Sequence, residues 1–301
     1  MSFKSTAALC VLTSITAFAI GDKPSSRPFV IGHLDTPLLC ESSGIVESRK
    51  HPGVFWTHND SGNAPILYAI RRDGSLINQF PIHTLAIDWE DIAIDDDGHL
   101  YLGDIGNNAV EGFAVRHLRA AIGVTMIDEP DPNVVPDPKK WIEPMKQWLL
   151  TYKEGQRMDC ESLFIWKGMG YILKKSIDRS PTTMWKFALE KETPQELEFV
   201  ATVPIEGKGE KVGSICTAAD LSSDGDRLAV MTVDGPVLIS GLKGDLSTIE
   251  KCPTQTIRIE PRTNEAICFT VEGLIGTDEQ RDVYFFAFEA FAVKSSTQPS
   301  R

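Results

Sequence analysis

The chain has 301 residues, 42% hydrophobic and 24% charged, a globular composition with enough apolar material for a substantial core. Its formal net charge of -12 argues against nucleic acid or an anionic membrane surface as partner, and leaves a cation, a small molecule such as a sugar, or a protein.

At the N-terminus, Lys4 precedes the apolar run STAALCVLTSITAFAIG, which is too short to span a bilayer comfortably. The run closes on Ala17-Phe18-Ala19, the small-x-small pattern of a signal-peptidase site. Residues 1–19 are therefore predicted to be a secretory leader, followed by a linker over 20–26, one domain over 27–295 and a tail over 296–301. A secreted or periplasmic, monomeric protein is expected, and no later segment is apolar enough to cross a membrane. Of six cysteines, Cys10 leaves with the leader; Cys40, Cys160, Cys216, Cys252 and Cys268 remain, widely spaced and without a C-x-x-C. Their pairing is open.

Further along the chain one pattern recurs. RPFVIGHLDTPLL (27–39) reads as an outer strand, and the segments from Glu41, Glu90, Glu161, Thr217 and Glu265 then share a layout. Each begins with Glu (Thr once), runs through a short apolar stretch and turns at a glycine (Gly53, Gly98, Gly168 or Gly170, Gly225, Gly273). A second apolar run completes each. Third strands are read at 65–70, 183–189 and 236–240, and fourth strands at 76–80, 147–152 and 197–203. The Pro- and Asp-rich stretch 127–144 reads as a long loop between outer strands. Hairpin repeats of this length indicate an all-β propeller, with five blades preferred and a sixth conceivable within 105–155. The strand ahead of the first repeat is expected to close the ring by completing the last blade.

The strings GVFWTHNDSG, DWEDIAID, LYLGDIGNN, DCESLFIW, TAADLSSDGDRLAV and NEAICF resemble a bacterial family of secreted or periplasmic β-propellers. Its repeats read roughly as Glu-Ala-Ile/Leu-Ala, an Asp-Gly turn and Leu-Tyr. Members are grouped loosely with phytase-like and esterase-like propellers. The resemblance covers about Glu41 to Glu289 and implies the fold; it assigns no activity.

In a propeller the first strand of each blade lines the centre, so equivalent residues meet at one height. Glu41, Glu90, Glu161 and Glu265 are expected to form a ring with Thr217 in the fifth place. A second set is expected at the ends of the next strands: Asp60, Asp104, Lys174 or Lys175, Thr232 and Glu289. Carboxylates crowded together need a cation, a basic partner or raised pKa values. Three readings fit: blade-tying hydrogen bonds, a hard cation such as Ca2+ held by oxygens, or a catalytic acid pair. Glu90 and Glu161 are the leading candidate ligands, followed by Glu41, Glu265, Asp60, Asp91 and Asp104. Lys174, Lys175, His58 and Asn59 are candidate contacts to an anion or other ligand, and Trp141 and Trp148 to a sugar or partner. The main expectation is a propeller that binds a ligand or partner protein with a divalent cation in its channel. The alternative is a calcium-assisted hydrolase of an ester, lactone or phosphoester. G-x-S-x-G, H-E-x-x-H and P-loop patterns are absent from the sequence.

Overall fold

A computed structural model describes residues 29–107, 119–135, 137, 139–153, 156–176, 180–205, 215–260 and 263–292. The predicted leader, linker and tail lie outside the described residues. The first strand, β1 (Val30–His33), is followed by five blades. Blade 1 holds β2 (Ser42–Glu47), β3 (Val54–Asn59), β4 (Ile66–Arg71) and β5 (Leu76–Pro81). Blade 2 holds β6 (Trp89–Ile94), β7 (His99–Asp104), β8 (Ala121–Asp128) and β9 (Lys146–Thr151). Blade 3 holds β10 (Cys160–Trp166), β11 (Met169–Lys174), β12 (Thr183–Ala188) and, after the short β13 (Gln195–Glu196), β14 (Glu198–Thr202). β13 itself adds to β9 in parallel. Blade 4 holds β15 (Cys216–Leu221), β16 (Arg227–Thr232), β17 (Val237–Ser240) and β18 (Thr254–Thr256). Blade 5 holds β19 (Asn264–Phe269), β20 (Gly273–Asp278) and β21 (Asp282–Ala287), and β1 completes it by pairing antiparallel with β21.

The protein is thus a five-bladed β-propeller whose ring is closed by its N-terminal strand. The region considered for a sixth blade supplies β8 and β9, the outer strands of blade 2, and the Pro-rich stretch is the loop between them. The inner strands β2, β6, β10, β15 and β19 pack against one another in sequence around the centre, and β19 meets β2. Each is buried along most of its length, which is why its residues read as continuous apolar runs. In blades 1 to 4 the turn after the inner strand has glycine at positive φ (Gly53, Gly98, Gly168 and Gly225), a conformation that costs glycine nothing.

The core lies between blades. Trp56, Phe80 and Trp89 fill the space between blades 1 and 2, and Tyr101, Trp148 and Phe187 that between blades 2 and 3. Trp148 is therefore a core residue, 2% exposed, not a surface platform; Trp141 stays half exposed. The five cysteines predicted for the mature chain are all free thiols. Among the described residues no helix is long and apolar enough to cross a membrane.

Candidate metal centre

In all five blades the pairing of the first two strands is interrupted at the same place. The register shifts after Ser42, Trp89, Cys160, Cys216 and Asn264, so Ser43, Glu90, Glu161, Thr217 and Glu265 are the extra residues of five equivalent β-bulges. A bulge kinks the strand and re-aims the extra side chain. Just beyond the second strand a backbone N–H donates to the carbonyl of the residue ahead of the first. These bonds are Asp60 to Glu41 (2.9 Å), Gly106 to Asp88 (3.1 Å), Lys175 to Asp159 (2.8 Å), Val233 to Ile215 (3.2 Å) and Glu279 to Thr263 (3.0 Å). Each blade thereby brings three positions to one end of the ring. Blade 1 fills them with Glu41, Ser43 and Asp60; blade 2 with Asp88, Glu90 and Gly106; blade 3 with Asp159, Glu161 and Lys175.

This register corrects the expected ring in blade 1. The position equivalent to Glu90 is Ser43; Glu41 lies two residues earlier, is exposed, and accepts from Asn63 Nδ2 at 2.6 Å. Ser43 and Thr217 tie neighbouring blades, donating their hydroxyls to the carbonyls of Glu90 (2.8 Å) and Asn264 (2.6 Å). Where the bulge residue is a hydroxyl, the blade-tying reading describes it. Where it is Glu90 or Glu161, the side chain enters an acidic cluster instead.

Oxygens of Asp60, Asp88 and Glu90 lie within 4.8 Å of one another, as do oxygens of Glu90, Asp159 and Glu161. Glu90 belongs to both groups. It is 2% exposed, and its Oε1 has no hydrogen-bond partner. A buried carboxylate oxygen left without a donor is costly unless the group is neutral or holds a cation. Gly106 makes the convergence sterically feasible: a Cβ there would sit 2.0 Å from Glu90 Oε1 and 2.6 Å from Asp88 Cγ. Lys175 Nζ meets Glu161 Oε1 at 2.6 Å.

The electrostatics follow from burial of like charges. Burial, reinforced by Glu161, Asp60 and Asp88, pushes the Glu90 carboxyl well above the usual range. Burial lifts Glu161 to about 7 against the opposing charge of Lys175, and lifts Asp60 to about 6. Asp159 and Glu265 are raised by burial as well. For Lys175, burial alone would lower the ammonium pKa, but Glu161, Glu265 and Glu90 hold it above its ordinary value.

Other candidates are spent elsewhere. Asp91 is fully buried and accepts from the N–H groups of Ile92 and Leu163 (both 2.9 Å) and Ala219 (3.4 Å), joining blades 2, 3 and 4. Asp104 accepts from Asp88 N–H and Arg119 Nη1, both at 2.8 Å. His58 is wholly buried with Nδ1 3.0 Å from the Asn59 carbonyl, and burial lowers its pKa to about 4. Asn59 uses both ends of its amide on the Glu41 N–H and the Leu38 carbonyl. Lys174 turns to Ser180 Oγ at 2.9 Å. Glu289 is exposed on the short helix α1 (Phe288–Ala292); β20, the second strand of blade 5, ends in Asp278 instead. Asp88 and Asp159 escaped the sequence reading as ligands, although Asp88-Trp89-Glu90 and Asp159-Cys160-Glu161 repeat the same Asp-x-Glu spacing.

A third acidic group, Asp95, Asp97 and His99, sits on the β6–β7 turn. Asp95 is already satisfied there by the N–H groups of Asp97 and His99, by His99 Nδ1 and by Tyr101 Oη.

Fold and cluster together define a five-bladed propeller with convergent carboxylates where its inner strands begin. No protein-family model and no curated protein matches the chain. Among solved structures it is similar to a structural-genomics target described as a candidate gluconolactonase, at 14% identity over 82% of this chain and 74% of that one, with a TM-score of 0.43. It is also similar to XC5397 from Xanthomonas campestris, described as a gluconolactonase, at 10% identity over 88% of this chain and 95% of that one, with a TM-score of 0.47. Likenesses this distant carry no argument about activity, and the blade count rests on the sheet topology alone.

Proposed function

We propose that the protein is a divalent-cation-dependent propeller that binds an oxygen-bearing small molecule in an acidic central channel, at the end where the inner strands begin. The observation that carries this reading is Glu90 Oε1, buried without a hydrogen-bond donor where two carboxylate groups converge. Asp60, Asp88 and Glu90 would hold the ion. An all-oxygen, carboxylate-rich donor set suits a hard cation, with Ca2+ the best match because it accepts many oxygens in flexible geometry. When bound, such an ion neutralises the cluster and polarises a ligand oxygen.

In the thermal midpoint after chelation, added Ca2+ a hundredfold above Kd should contribute about 2.7 kcal/mol. For a domain of this size that is a rise of about 5 °C. Glu90→Gln should lose the rise. No shift with Ca2+, Mg2+ or Mn2+ in the wild type would sink the reading.

A second reading, hydrolysis of an ester, lactone or phosphoester, has its own support in Glu161. It lies 2.6 Å from Lys175 and in one group with Glu90 and Asp159, which puts a carboxylate able to act as general base next to the ion-binding residues. Glu161 would take a proton from water and Lys175 would fix its orientation. An aryl ester, a δ-lactone and an aryl phosphate should be assayed with Ca2+. Turnover of one of them should fall about a hundredfold or more in Glu161→Gln, and no turnover above buffer would remove the hydrolase reading while leaving the binding one. The leader read over 1–19 supports a secreted or periplasmic location; N-terminal sequencing of exported protein should begin at Ile20.

A further inference from the structure

The fold places a carboxylate and an ammonium at the same position of two blades. Asp60 and Lys175 each follow the second strand of their blade, and each donates its backbone N–H to the residue ahead of the inner strand, Glu41 (2.9 Å) or Asp159 (2.8 Å). Asp60 joins Asp88 and Glu90, whereas Lys175 reaches Glu161 within the group formed by Glu90, Asp159 and Glu161. The contact is short, 2.6 Å, and its carboxylate is 2% exposed. The same ammonium also acts on Glu265 and Glu90.

Two carboxylate groups that share Glu90 offer two adjacent places for a cation. The second group offers as many carboxylates as the first: oxygens of Glu90, Asp159 and Glu161 also lie within 4.8 Å of one another. What distinguishes the second group is a compact point charge on a flexible stem, already in place. We propose that Lys175 is a tethered cation that occupies the second carboxylate group, so that the cluster takes one divalent ion where its carboxylates alone would take two bridged by Glu90. The inference rests on the cation-binding reading above and adds a residue that sets the stoichiometry. It also means that blade 3 carries a permanent positive charge beside the ion, which no exchange with solvent or chelator removes.

The test is a count of bound ions. Chelator-stripped wild type, Lys175→Met, Lys175→Gln and Lys175→Arg are titrated with Ca2+ by calorimetry at neutral pH, and the folded state of each is checked by circular dichroism. One ion is expected in the wild type and in Lys175→Arg, which keeps the charge. Two are expected in Lys175→Met and in Lys175→Gln, the polar replacement that guards against a Met variant that fails to fold. Two ions in the wild type, or one in the folded uncharged variants, overturn the inference while leaving the cation site standing. No ion in any of the four proteins removes the cation reading itself, and this inference with it.

Discussion

Whether a buried acid is a ligand or a structural tie is decided by where its oxygens point, and Glu90 and Asp91 show both outcomes side by side. Asp91 faces three backbone N–H groups from three blades and leaves neither oxygen for a ligand. Removing it in Asp91→Ala strands the N–H groups of Leu163 and Ala219, at about 1–3 kcal/mol for each unsatisfied buried donor. Urea unfolding should therefore show a loss of about 2–6 kcal/mol, while the Ca2+-induced rise in the thermal midpoint survives. A lost Ca2+ response with unchanged stability would instead make Asp91 a ligand. Gly106 tests the opposite case, because a methyl there overlaps Glu90 Oε1 and Asp88. Gly106→Ala should weaken Ca2+ binding by about tenfold or more, equivalent to about 1.4 kcal/mol. Unchanged affinity would mean that the ion sits away from Glu90.

At the scale of elements, the periodic part of the structure was legible and the interruptions were not. Apolar runs separated by glycine turns marked four of the five inner hairpins because both features recur at matched positions. In blade 5, β20, GLIGTD, is glycine-rich and polar at its end whereas β21 has the stronger apolar signal, so the sequence points to Glu289 where the structure has Asp278. The bulges were invisible, since one extra residue per strand leaves composition unchanged, and without them nothing in the sequence shows that Glu41 matches Asp88 and that Ser43 matches Glu90. The closing strand, by contrast, was readable because an unpaired edge on the last blade demands a partner. Its seat is tight: His33 N–H donates to the Asp73 carbonyl at 3.0 Å, and a Cβ on Gly32 would lie 2.1 Å from that same oxygen. Thus β1 latches blade 5 to the β4–β5 turn of blade 1. Gly32→Ala should push the strand off its seat and cost about 1–3 kcal/mol, as overpacking does. Hydrogen exchange at β21 amides should accelerate in parallel, and an unaltered exchange pattern would show that the latch contributes nothing to closure.

Across the whole molecule, folding gathers carboxyl groups where water reaches them poorly, so the folded state holds their protons more tightly than the unfolded chain. Asp220 isolates this effect because it lies toward the far end of β15, away from the acidic cluster. Its Oδ2 accepts from Phe269 N–H at 2.7 Å and so ties blade 4 to blade 5. Burial raises its carboxyl to about 6, against that N–H, the Arg49 charge and the Leu221 N–H. The Asp220 charge in turn raises two neighbouring buried groups, Asp91 and Cys268, both already lifted chiefly by burial. The sign is fixed by linkage. With a folded pKa above the unfolded value, the group's contribution to stability is full below about pH 4 and is lost as pH rises through about 6. The loss is on the order of 1–2 kcal/mol once partial solvent access is allowed for. Asp220→Asn keeps an oxygen for Phe269 and removes the titration. Thermal midpoints of the two proteins should nearly coincide at the acid end and separate as pH rises to neutrality, with the Asn variant the more stable by a few degrees. Carboxyls that do not feel Asp220, those of the acidic cluster among them, cancel in that comparison, and Asp91, whose own carboxyl is raised by Asp220, is the neighbour that does not. A gap that stays constant with pH would mean that the Asp220 carboxyl has the same pKa folded and unfolded, with the Phe269 N–H and the Arg49 charge offsetting the cost of burial.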